Sequence, residues 1–108
     1  MSGARAKGTA PSRHHSVYVI ALKDGACPEK SSSLSCVYVG LTGLTVEKRF
    51  RNHQTGHKSS KWVKNFGLDL MPELFDSLNP MTYEQAVKME RELADDLRSR
   101  GYIVFGGH

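Results

Sequence analysis

Val17-Tyr18-Val19-Ile20-Ala21-Leu22 and Cys36-Val37-Tyr38-Val39-Gly40-Leu41 are two β-branched and aromatic runs with a stretch rich in Gly, Pro and Ser between them. Such side chains fit a pleated surface and the residues between them fit a reversal, so the pair predicts two antiparallel strands. Both faces of each run are largely apolar, which puts at least one of the strands in the middle of its sheet. Working outward, residues 45–54 predict a helix capped by Thr45, with Glu47 in its first turn and Gly56 as its stop. Ser59 or Ser60 can cap a second short helix over 61–66, closed by Gly67. Residues 68–75 are a weaker strand that Pro72 confines to a sheet edge. Asn79-Pro80 breaks the chain, and Thr82-x-x-Gln85 is a capping box that opens a long helix ending before Gly101. Two outcomes are open for the tail from Tyr102, a short final strand or simple packing. The order β-β-α-α-β-α predicts an α+β fold, with a small three-stranded, mostly antiparallel sheet flanked by helices.

The 108 residues leave room for one domain, which excludes a two-domain enzyme with a cofactor cleft between its halves. Residues 1–15, basic and without periodicity, read as a flexible arm, and 16–108 as the single folded domain. A hydrophobic content of 39% excludes a wholly disordered chain. The longest apolar run falls far short of the ~18 residues that span a bilayer, so no membrane role is expected. The first residues lack the apolar core of a secretory signal, so the expected setting is cytoplasmic and reducing. Cys27 and Cys36 are then expected as thiols, Cys36 as a small buried hydrophobe. Their spacing, with His14 and His15 upstream, is not an established zinc pattern.

The formal net charge of +4 is unevenly spread: residues 45–66 carry +5 and residues 67–97 carry −6. On charge alone, the basic stretch is either a surface for a polyanion such as nucleic acid or an ordinary solvated helix face.

Three constellations carry possible chemistry. At about 100° per residue, Tyr83, Ala86, Val87, Glu90, Leu93, Ala94 and Leu97 share one face of the long helix, and Glu90 is the only charged residue among them. A buried carboxylate needs a cation, a metal or strong hydrogen bonds, so Glu90 is either paired with a neighbouring Arg or is a metal or catalytic ligand. Arg49 and His53 lie one turn apart on the first helix, with Val46 and Phe50 as the apolar edge that docks it. A guanidinium suits a phosphate and an imidazole suits proton transfer near neutral pH, although a solvated pair has the same spacing. Tyr18 and Tyr38 occupy corresponding positions of the two strands, as core tyrosines or as a functional pair, and Gly40 leaves space where a ligand backbone can approach.

Taken in order, Val17-Tyr18, then Tyr38-Val39-Gly40 with Thr42, then Arg49-x-x-x-His53, then Ala86-x-x-x-Glu90 resemble the GIY-YIG nuclease superfamily over roughly residues 16–100. The two triads stand here as Ser16-Val17-Tyr18 and Tyr38-Val39-Gly40, so the first Gly is replaced by Ser. The loop between the tyrosines is longer than usual, and the Asn that often follows the glutamate is absent from Gly101-Tyr102-Ile103-Val104. The resemblance implies an endonuclease of DNA processing or repair that hydrolyses phosphodiesters with one divalent metal, Mg²⁺ with Mn²⁺ as substitute, held by Glu90. It implies Tyr18, Tyr38, Arg49, His53 and Glu90 as catalytic residues, with Tyr18 as base and Tyr38 as an orienting hydroxyl. Gly40, Thr42, Arg51, Lys58, Lys61 and Lys64 are then the expected DNA contacts. The alternatives are a non-catalytic nucleic-acid-binding module, or a nuclease subunit whose protein partner supplies specificity.

Overall fold

Val17, Val19 and Ile20 are fully buried and Tyr18 almost so, because the strand that holds them, β1 (Ser16–Leu22), has a neighbour on each edge and packed elements on both faces. The computed structural model of the chain describes residues 13–23, 36–55 and 61–107, with the side chains of Lys61 and Trp62 outside the description. Along these residues β1 and β2 (Cys36–Thr42) are followed by α1 (Val46–Thr55), α2 (Lys61–Phe66), β3 (Gly67–Leu70), α3 (Tyr83–Ser99) and β4 (Ile103–Gly106). The fold class is α+β, as expected. The sheet, however, has four strands in the order β3-β1-β2-β4, with β1 antiparallel to both neighbours and β4 parallel to β2. The expected three-stranded sheet is corrected by the tail: Ile103, Val104 and Phe105 are residues that favour a strand, and the free edge of β2 gives their backbone hydrogen-bonding partners.

The third strand is shorter than the sequence predicts. It stops at Leu70, and Pro72 instead opens a 3₁₀ turn, Pro72–Leu74, because proline has no N–H to give to a ladder. Beyond it the edge of β1 is completed by a side chain. Asn79 accepts the Val17 N–H at 2.9 Å and donates to the Val17 carbonyl at 2.8 Å, reproducing a strand partner with one amide. His15 and Met81 then exchange backbone hydrogen bonds of 2.9 and 2.8 Å, so the folded body begins within the expected arm, whose first twelve residues lie outside the description.

Helix α1 starts where Thr45 Oγ1 accepts the Lys48 N–H at 3.1 Å. Helix α3 starts with the complete capping box between Thr82 and Gln85. It ends in a Schellman motif, with the Tyr102 N–H donating to the Leu97 carbonyl and the Gly101 N–H to that of Arg98. α3 packs chiefly on β2 and β4, whereas α1 and α2 pack on β1 and on each other. Ala86, Glu90, Leu93, Ala94 and Leu97 are the buried face of α3, as the periodicity predicts, but Tyr83 is 57% exposed. It stands in the first turn, where its ring leans outward onto the edge of His15 at a centroid distance of 5.2 Å. Among the described residues no helix is long and apolar enough to cross a membrane. Cys36 is buried, as expected, but it is disulfide-bonded rather than a thiol. Cys27 lies outside the described residues.

Candidate active site

The antiparallel register sets the site. Tyr18 lies directly opposite Gly40, and Tyr38 lies opposite Ile20. The two tyrosines are therefore diagonal rather than direct cross-strand neighbours, on one face because Ile20, the partner of Tyr38, is two residues from Tyr18 along β1. Their ring centroids are 6.4 Å apart. A methyl group built on Gly40 would fall 2.5 Å from the Tyr18 hydroxyl oxygen and 2.6 Å from its ring carbon Cζ. The space opened by the missing side chain is thus filled by the Tyr18 phenol, which corrects the expectation that a ligand backbone approaches there.

Helix α1 supplies the third ring. His53 is its only fully buried residue, and the Tyr18 hydroxyl and His53 Nε2 are 2.9 Å apart. The imidazole centroid is 5.9 Å from that of each tyrosine. Burial first, and the Arg49 charge second, bring the His53 pKa from 6.5 down to about 4, so the ring is neutral at neutral pH. Burial is also the main reason that the Tyr18 phenol is pushed up from 10.0 to about 12, with Tyr38 and Glu90 adding to the rise. Arg49 opposes it, by its charge and by a hydrogen bond to the Tyr18 side chain. Arginine can only donate, so the Tyr18 oxygen accepts from Arg49. The protonated phenol is then left to donate to Nε2 of His53, which fixes the histidine proton on Nδ1.

Helix α3 supplies the fourth group. Glu90 is 7% exposed, and its charge is felt at Tyr18. Tyr18, Tyr38, Arg49, His53 and Glu90, spread over 73 positions from first to last in the chain, therefore converge from two strands and two helices. Among the described residues no three or more His, Cys, Asp or Glu side chains gather as a metal-binding group. Glu90 offers a hard-oxygen donor within electrostatic reach of the Tyr18 phenol, a donor type suited to a divalent cation that takes most of its shell from water and phosphate oxygens. The disulfide removes Cys36 as a thiolate ligand.

The expected nucleic-acid contacts are not gathered in the same way. Thr42 is buried, and its Oγ1 accepts the Leu44 N–H at 3.0 Å, which ties the turn leading to α1 and leaves Thr42 away from any solvent-side contact. Arg51 on α1 and Lys64 on α2 are exposed. Lys58 lies outside the described residues, as does the side chain of Lys61. One neighbour of the site was missed in the sequence. Gly106 adjoins the Tyr38 ring, and the Gly106-Gly107 pair was the only signal of it. No family model, curated protein or solved structure matches the chain.

Proposed function

We propose that the protein is a divalent-metal-dependent DNA endonuclease that hydrolyses phosphodiesters at this one site. The observation that supports this reading most is the meeting of a nearly buried carboxylate, Glu90, with the hydrogen-bonded group of Tyr18, His53 and Arg49. Glu90 is the residue that would hold Mg²⁺, or Mn²⁺ in its place, and the bound ion supplies Lewis-acid stabilisation of the phosphoryl and leaving oxygens.

The chain's own residues do the remaining work. Arg49 neutralises charge that builds on the phosphate, where a fixed cation acts without reorganisation. A phenol with a pKa of about 12 holds its proton at neutral pH, so Tyr18 is no standing phenolate. It acts as a relay instead: as its oxygen takes the proton of the attacking water, its own proton passes to His53 Nε2 along the existing 2.9 Å contact. With a pKa of about 4, His53 is neutral before the step and holds the relayed proton only transiently. Tyr38, half-buried beside both rings, orients the water or the phosphate. The exposed Lys48, Arg51 and Lys64 on α1 and α2 hold the DNA backbone without reading its sequence.

Incubating the protein with plasmid and branched DNA, with and without Mg²⁺, tests the proposal. Metal-dependent cleavage lost in Glu90→Ala is the expected result; cleavage that survives the substitution overturns it. Salt-sensitive DNA binding without nicking of any substrate would instead favour a non-catalytic binding module. That reading has its own support in how firmly Tyr18 keeps its proton.

A further inference from the structure

The last strand ends on two consecutive glycines that both have positive φ, 76° at Gly106 and 73° at Gly107, a region that L side chains enter only with strain. What surrounds them is specific. A methyl group on Gly106 would run into the Val39 carbonyl oxygen and would lie 2.9 Å from Cε1 of Tyr38. A methyl group on Gly107 would run into the Cβ of Ala94, with the Glu90 carbonyl oxygen 3.8 Å away. Ala94 is one turn beyond Glu90, so both lie on the same buried face of α3. The same bend lets the Gly107 N–H donate to the Val39 carbonyl at 3.0 Å, one residue past the pairing of Val39 with Gly106. The end of β4 thus lies against the Tyr38 ring of β2 at Gly106 and against Ala94 of α3 at Gly107, closer in both places than a side chain permits.

We propose that Gly106 and Gly107 form the spacer of the active site, positioning residues that set the gap between Tyr38 on β2 and the Glu90 face of α3. The inference rests on the nuclease reading for its catalytic meaning, but the spacing itself is measurable without turnover. A Cβ at position 106 displaces the Tyr38 ring or unpairs the end of β4. A Cβ at position 107 lifts α3 at Ala94 and takes Glu90 with it. Displacement of reacting groups by about 1 Å is enough to lower turnover on the order of 10²-fold, whereas the lysine and arginine contacts to DNA lie on α1 and α2 and are left intact.

The test uses Gly106→Ala, Gly107→Ala and the double variant Ala94→Gly/Gly107→Ala in the full chain. The first readout is by NMR, from cross-peaks between the Tyr38 and His53 rings and between Tyr38 and the α3 side chains. The second is cleavage, separated into kcat and KM. The expected result is that Gly106→Ala weakens the Tyr38–His53 cross-peaks and Gly107→Ala the Tyr38–α3 cross-peaks. Both should lower kcat on the order of 10²-fold with KM nearly unchanged. Removing the opposing methyl should restore part of both signals in the double variant, a rescue that general destabilisation does not produce. Wild-type cross-peaks in both single variants overturn the spacer, and so does a double variant no better than Gly107→Ala. If a single variant fails to fold, Ala94→Val is read in its place, since it narrows the same contact from the α3 side and leaves Gly107 its positive φ. A wild-type protein that cleaves nothing removes the nuclease reading, while the cross-peaks judge the spacer separately.

Discussion

Helices α1 and α3 both deliver ionisable side chains to the surroundings of Tyr18, Arg49 and His53 from α1 and Glu90 from α3, but they are held in place by different means. α3 buries Ala86, Leu93, Ala94 and Leu97 beside its glutamate and is closed at both ends, by a capping box and a Schellman motif. α1 buries His53 alone, with Val46 and Phe50 only partly covered. α3 would dock without its functional residue. In α1 one of the two candidate residues, His53, is itself a principal anchor, so its hydrogen bond to Tyr18 would serve the fold and the proposed chemistry at once. Changes in α3 should therefore separate stability from function, and changes at the core of α1 should not.

The largest effect expected is on α3. Leu97 is fully buried, and Leu97→Ala should cost about 2–5 kcal/mol through lost burial and the cavity left behind. Chemical denaturation measures it, and a cost well under about 1 kcal/mol would mean that the apolar stripe does not anchor the helix. Next is Glu90→Gln, which keeps the shape of the side chain and removes its charge. Cleavage should fall by about 10²–10³-fold, the scale seen when one electrostatic contact to a developing charge is removed. DNA binding measured without metal should stay near wild type; equal loss of binding and cleavage would assign Glu90 to the fold alone.

The third expectation concerns α1 and pH. The unfolded chain takes up a proton on His53 below 6.5, but the folded protein does so only below about 4. In that window the unfolded state binds more protons, so stability rises with pH and is lost as pH falls from 6.5 towards 4. The full difference is at most about 3 kcal/mol for this one buried histidine. His53→Gln retains an acceptor for the Tyr18 hydroxyl and should flatten this part of the pH profile relative to wild type. Parallel wild-type and variant profiles would show that His53 is not buried neutral. At the alkaline end the sign reverses: folded Tyr18 keeps its proton to about 12, so stability declines as pH rises above 10.0.

The smallest effects should be on the outer faces. Lys88 and Glu92 make a 4.0 Å contact on α3 with both side chains more than half exposed, and Lys88→Ala should change stability by no more than about 0.5 kcal/mol. Lys64→Ala on α2 should be as quiet for folding but should reduce the salt dependence of DNA binding by about one phosphate contact. An unchanged salt slope would remove α2 from the nucleic-acid surface.

How much of this could be read beforehand follows from the range of the interactions involved. The capping box at Thr82 and Gln85, the stop at Gly101 and the burial of Glu90 follow from residues within one or two turns of each other, and local spacing states them directly. Tyr83 departs from its stripe because periodicity gives a direction around the helix but not where along it the sheet ends. Strand β4 was ambiguous because its pairing with β2 joins residues far apart in the chain. Gly40 was misread for a related reason: a glycine announces close approach without saying by what, and only the register of β1 against β2 shows that Tyr18 fills the space.

By itself the sequence determined the α+β class, two adjacent antiparallel strands with at least one of them central, the caps and most of the stripe of α3, and the set of candidate side chains. Only the tertiary structure decided that Tyr18 and Tyr38 are diagonal neighbours, that His53 is neutral and Tyr18 protonated, that the sheet has a parallel fourth strand, and that Gly106 lies against Tyr38 and Gly107 against Ala94 of α3. The division has one physical cause. Local structure depends on hydrogen bonds and spacing between near neighbours in the chain, whereas proton positions and gaps depend on burial and contact among residues that the fold alone brings together.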